Sequence, residues 1–109
     1  MAIKYIQIPE KKMTIAILED CRYDAVVKIA KILDSTSSLR FNPEKYLMSN
    51  SFKAIAKCAP DDVWDEDVGK AVAKAKVMKK YYKSYDKRLD AFVDELNEVM
   101  FEATQRIGS

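Results

Sequence analysis

The chain contains no histidine, two cysteines, two glycines and three prolines in 109 residues. Without histidine it lacks the side chain that most often acts as a general base near neutral pH and the commonest nitrogen ligand of zinc. Nothing in the pattern pairs a nucleophile with a base, so neither an enzyme activity nor a cofactor or metal is expected. Cys21 and Cys58 are too few and too unpatterned for a disulfide framework or a metal motif. They read as two small, half-buried thiols in a reducing compartment. No apolar run approaches the length of a membrane span, and Met1 to Pro9 holds none long enough for a signal peptide. A cytoplasmic protein with no membrane association is expected. With glycine and proline so scarce, little interrupts regular structure.

What is present is a globular composition, 49% hydrophobic and 33% charged. That size and balance predict one domain over residues 1–109, with an α+β head over 1–60 and a long helix over 61–107. The net charge of +2 conceals segregated blocks. Residues 1–60 carry ten basic and six acidic side chains, whereas residues 61–69 carry five acids and no base. Residues 70–88 carry eight basic groups against Asp86 alone, and residues 89–109 carry five acids against Arg106.

Ile3 to Ile8 is β-prone, Pro9-Glu10-Lys11-Lys12 reads as a turn, and Met13 to Leu18 is a second apolar run. Together they predict a short hairpin, although the second run could also open a helix. From Asp20 the period changes: Tyr23, Val26, Val27, Ala30 and Leu33 recur every three or four residues, as on an amphipathic helix. Ser35-Thr36-Ser37-Ser38 should break it. Asn42-Pro43-Glu44 is a helix start, with Asn as cap and Pro at the first helical position, predicting a short helix over 43–48. Phe52 to Cys58 suits a third strand.

From Asp65 to Ile107 the chain runs 43 residues with no proline and one glycine. Val68, Ala71, Ala75, Met78, Tyr82, Tyr85, Leu89, Phe92, Leu96, Val99 and Ala103 fall at alternating steps of three and four, a heptad stripe. An unbroken helix of that length spans roughly 64 Å, against a radius of gyration of about 13 Å for a domain of this size. The helix must bend back or find a partner, and the stripe predicts a homodimer. Tyr82, Tyr85, Leu89, Phe92, Leu96 and Val99 are its expected interface. Small residues around Gly69 allow close backbone approach to a partner helix or to the N-terminal sheet. From Leu89 onward Val93, Met100 and Ile107 widen the stripe, as for a helix that packs on more than one neighbour.

The basic block has three readings. Lys74, Lys76, Lys79, Lys80, Lys83, Lys87 and Arg88, with Tyr81 among them, could contact a nucleic acid or a nucleoprotein partner. In that case lysines neutralise phosphates and an exposed tyrosine stacks on an unpaired base. The same residues could instead be a solvated helix face. They could also pair with the acidic 90–102 block of an antiparallel partner helix, in a purely structural oligomerisation module. Five acids between Asp61 and Asp67 sit where the positive end of a helix dipole falls, and read as a capping segment stapled by Trp64.

The string Ala56-Lys57-Cys58-Ala59-Pro60-Asp61-Asp62-Val63-Trp64-Asp65, followed by Gly69, resembles a pattern in small proteins of Firmicutes phages and prophages. There an Ala-Lys-Cys strand leads through Pro-x-Asp and an aromatic-Asp pair to a glycine that opens a helix. Lys57, Cys58, Pro60, Asp62, Trp64, Asp65 and Gly69 match, with Trp64 where phenylalanine is more usual. The resemblance, taken over residues 54–73, covers about a fifth of the chain and implies a mobile-element context in the host cytoplasm. It also implies a non-catalytic binder of the kind that includes inhibitors of host defence such as anti-CRISPR proteins. The expected architecture is α+β: a small N-terminal sheet with one or two short helices, then a long C-terminal helix used for self-association.

Overall fold

The computed structural model describes residues 2–34 and 42–108, and their side chains except at 34, 99, 100 and 102–108. The fold is α+β, as expected. Strands β1 (Ala2–Ile8), β2 (Met13–Glu19) and β3 (Phe52–Lys57) form one antiparallel sheet in the order β1-β2-β3. Helix α1 (Asp24–Asp34) follows β2, and the unbroken helix α2 (Glu66–Gly108) follows β3 after residues 58–65. The expected break at Ser35-Thr36-Ser37-Ser38 lies outside the described residues.

Local signals act where the residues place them. The β1–β2 hairpin closes through a 3₁₀ turn at Pro9–Lys11, and Lys12 takes a left-handed conformation with φ 49°. Lys12 then ties the turn to the chain beyond β3: its carbonyl accepts from Cys58 N at 2.9 Å and its Nζ donates to the carbonyls of Pro60 and Asp62. Asn42 caps as expected, its side chain accepting from Glu44 N at 3.1 Å, but the element it opens is one 3₁₀ turn at Pro43–Tyr46. At the start of α2 the carboxylate of Asp65 accepts from Asp67 N and Val68 N, at 2.9 and 3.3 Å. This satisfies two amides that no helical carbonyl can reach.

The chain groups into two compact units, residues 1–22 with 49–83 and residues 23–48 with 84–109. The expected partition at residue 60 does not coincide with them, because α2 contributes to both. In the first unit one face of the sheet is buried through Thr14, Ala16, Leu18, Ala54 and Ala56. It packs on a line of α2 residues spaced by four: Gly69, Ala73, Val77 and Tyr81. A Cβ on Gly69 would collide with Thr14 Oγ1 and come within 3.2 Å of the Trp64 ring, so glycine here permits the close approach of helix to sheet. In the second unit Ile29 and Leu33 of α1, Tyr46, and Phe92 of α2 form a buried cluster flanked by Val26, Leu89 and Leu96.

Two expectations about α2 are corrected by this packing. The heptad stripe predicted Val68, Ala71, Ala75 and Tyr82 at a contact, yet Val68 is 57% and Tyr82 49% exposed, and Ala71 and Ala75 are exposed as well. The sheet instead takes the line Gly69, Ala73, Val77 and Tyr81, and at its start only a glycine admits Thr14. Phe92, expected at an oligomer interface, is 4% exposed and meets Tyr46 edge-to-face at 5.9 Å within its own chain.

Candidate nucleic-acid interface

β3 is an edge strand, and α2 runs beside its open edge. An unpaired edge exposes carbonyls that must be satisfied or guarded. Here Lys80 Nζ donates to Lys53 O at 2.8 Å and Lys76 Nζ donates to Ile55 O at 3.2 Å. Lysines four apart on a helix rise about 6 Å, close to the two-residue repeat of the strand, so one lysine reaches each carbonyl. Lys79 and Lys83 complete the wall of a shallow cleft of about 440 Å³ lined by Ala54, Ile55, Lys76, Lys79, Lys80 and Lys83. All four lysines are exposed. No carboxylate lines the cleft, and Lys79 and Lys83 form no ion pair or hydrogen bond among the described residues. Four ammonium groups gathered without a counter-charge make a local positive potential that favours a polyanion.

A second cavity, about 510 Å³, lies where β3 gives way to α2. Ala56, Cys58, Val63, Trp64, Val68 and Val72 line it, together with Lys57, Asp62 and Asp65. Asp65 is committed to the helix cap, and the Cys58 thiol points to Val63 O at 3.7 Å. This end of the strand mixes apolar side chains with charges of both signs, where the other is basic.

Not every residue expected at the basic site is there. Lys74 and Lys87 are exposed but line neither cavity. Arg88 is half-buried, and its Nε donates to Leu47 O at 3.2 Å within the second unit. Tyr81 is corrected outright: at 4% exposure, edge-to-face on Phe52 at 6.0 Å, its ring is core and cannot stack on a base. Of the expected oligomer-interface residues, Tyr82 is exposed and Tyr85 half-buried, while Leu89 and Leu96 pack against the Phe92 cluster. The side chain of Val99 lies outside the described ones. The participation of Ala54 and Ile55 was missed, since nothing in a strand's own sequence shows which helix will border its edge.

The second unit holds the strongest polar cluster. Glu95 accepts from the hydroxyl of Tyr46 and pairs with Lys45 Nζ at 2.9 Å. Those two donors hold its carboxyl below the usual range. Burial, and then the neighbouring carboxylate, push the Tyr46 phenol up to about 12. No helix among the described residues is long and apolar enough to cross a membrane. Comparison with family models, with curated proteins and with solved structures found no match.

Proposed function

We propose that the chain is a non-catalytic binding protein that holds the phosphates of a nucleic acid, free or within a nucleoprotein, in the cleft between β3 and α2. One observation carries this reading: Lys76, Lys79, Lys80 and Lys83 line one cleft with no carboxylate among them. Its resemblance to small phage and prophage proteins supports a mobile-element accessory role, of which blocking a host defence complex is one form. The competing reading, in which these lysines pair with acids of a partner helix, is weakened because Glu95 is already engaged by Lys45 and Tyr46.

The lysines divide into two pairs, and the test uses the division. Lys76 and Lys80 also guard the edge of β3, whereas Lys79 and Lys83 have no structural partner among the described residues. A labelled 30-base-pair DNA and a 30-nucleotide single strand serve as probes over a salt series. Reversing Lys79 and Lys83 to glutamate should leave helix content unchanged. The log–log salt slope should flatten by about 2 for the duplex, since each neutralised phosphate contributes about 0.9. An unchanged slope, or no salt-dependent binding by the native chain, would overturn the reading. Disrupted assembly rescued by reversing Asp90 and Asp94 would favour the structural module instead.

A further inference from the structure

The trench between β3 and α2 does not end at its lysines. Ala54 and Ile55 line the basic cleft, and the next two residues of the strand, Ala56 and Lys57, line the second cavity. On the helix, Val72 of that cavity stands one turn before Lys76 of the cleft, a rise of about 6 Å. Both belong to the first compact unit. They are neighbouring sections of one surface, lysine-lined at one end and built round a tryptophan at the other.

The tryptophan section has the size of a small-molecule site. Its volume of about 510 Å³ lies within the usual range of ligand pockets. Val63, Val68 and Val72 stand round Trp64 and are 91%, 57% and 41% exposed. Aliphatic side chains gathered at an open cavity mark a binding surface more than a solvated helix start. The capping role of this segment accounts for Asp65, which accepts from Asp67 N and Val68 N, but not for the valines. Charge separates the two sections as well. The pocket sets Asp62 and Asp65 against Lys57, whereas no carboxylate lines the cleft. A phosphate is therefore drawn to the cleft, and a neutral aromatic group is the better guest for the pocket.

We infer that this pocket takes one unpaired base, stacked on Trp64, from a strand whose phosphates lie on Lys76, Lys79, Lys80 and Lys83. The inference rests on the phosphate-holding cleft proposed above and names its ligand, a single-stranded nucleic acid. A nucleotide joins a charged phosphate to an uncharged ring, and the trench offers a matching place for each, one helical turn apart. Stacking on an aromatic ring serves every base, because each has a π-face. Lys57 and Asp62 add a donor and an acceptor for the base edge. An intact duplex keeps its bases inside the stack, so one would have to be extruded, at a cost, to reach a side pocket. Tyr81, expected to stack on a base, is buried. Trp64 supplies the aromatic face in its place.

Trp64 is the single tryptophan of the chain, so its emission reports on the pocket directly. Three labelled ligands at low salt decide the matter: a single strand, an abasic sugar–phosphate strand of equal length, and a duplex. The single strand should quench the emission, whereas the abasic strand and the duplex should bind through the lysines and leave it unchanged. By anisotropy the single strand should bind roughly five- to a hundredfold tighter than the abasic strand, the range of one base–aromatic stack. Trp64→Leu should lower single-strand affinity to the abasic level. Abasic affinity should stay as it was, which reports that the variant is folded. Salt-dependent binding of all three ligands, with the single strand no tighter than the abasic one and the emission unchanged, overturns the inference and leaves the phosphate cleft standing. Equal quenching by single strand and duplex overturns it too. Absence of salt-dependent binding by every ligand brings down the cleft reading and this inference with it.

Discussion

The two compact units use the same helix in opposite ways. In the first, α2 starts its contact with the sheet through Gly69, Ala73 and Val77, small residues against Thr14, Ala16, Ala54 and Ala56, before Tyr81 meets Phe52 at the far end. In the second, it meets α1 and the 42–48 segment through Leu89, Phe92 and Leu96, large residues against Ile29, Leu33 and Tyr46. A close backbone approach leaves no room to add atoms, whereas a contact built from large side chains cannot lose them. The two halves of one helix should therefore fail in opposite directions when mutated.

The largest effect is expected in the second unit. Phe92→Ala removes a ring that is 4% exposed from the middle of its cluster. It should cost about 3–5 kcal/mol in chemical denaturation. Amide exchange in α1 should accelerate first, while β1–β3 and the first four turns of α2 keep their protection. Uniform loss of protection across both units would break the distinction between them.

In the first unit the damaging change is an addition. Gly69→Ala would raise helix propensity by up to ~1 kcal/mol, yet the new methyl meets Thr14 Oγ1, on a side chain with no exposure that donates to Gln7 Oε1 at 2.7 Å. Overpacking costs about 1–3 kcal/mol, so a net destabilisation is expected. Thr14→Ala should relieve part of it, with a favourable coupling of at least ~0.5 kcal/mol in the double-mutant cycle. Gly69→Ala that stabilises the chain would show that helix and sheet do not touch there.

The third test is a change in the shape of the pH profile, confined to the second unit. Tyr46 titrates near 10 when unfolded and at about 12 in the fold. A raised pKa means that the fold favours the neutral phenol, so its contribution is complete below pH 10 and disappears between pH 10 and 12. Glu95 is lowered, so its contribution is complete above the ordinary carboxyl value of 4.5 and is lost as pH falls through its lower folded value. Tyr46→Phe should remove the alkaline loss attributable to this pair and weaken the acid one, measured by thermal melts from pH 2 to 12. An alkaline limb identical to that of the native chain would sink the Tyr46–Glu95 assignment.

Much of this architecture is legible in the residues. Alternation and β-branching place the three strands, the three-and-four period places α1, Asn42 marks the cap of the turn at Pro43–Tyr46, and Asp65 with the lack of proline after it gives an unbroken α2. The buried face in the first half of α2 is not so legible. A heptad count takes Val68, Ala71, Ala75 and Tyr82, whereas the sheet takes Gly69, Ala73, Val77 and Tyr81, with lack of bulk decisive at Gly69. The signal that finds this face is the step of four through Gly69, Ala73, Val77 and Tyr81, matched by Ala54 and Ala56 on β3. The same misphasing put Tyr81 at the surface. The lysine cluster was legible as a block, but its division into edge guards and free cations depends on where β3 ends up.

The smallest effect is expected at Trp64, and it tests the first unit from the other side. Trp64 immediately precedes the cap Asp65, and its ring lies over the backbone of Gly69 four residues into the capped turn, where a side chain would meet it. Its Nε1 is buried and makes no hydrogen bond among the described residues. A buried donor without a partner costs about 1–3 kcal/mol. Trp64→Phe removes that donor and keeps an aromatic ring over Gly69, at the expense of packing lost with the smaller ring. The two terms oppose one another, so the net change should lie within about 1 kcal/mol of zero, far below that of Phe92→Ala. Trp64→Ala, which loses the ring altogether, should cost clearly more than Trp64→Phe. If Trp64→Phe proves as damaging as Phe92→Ala, the start of α2 is held by a large side chain after all, and the contrast between the two halves of the helix fails at its N-terminal end.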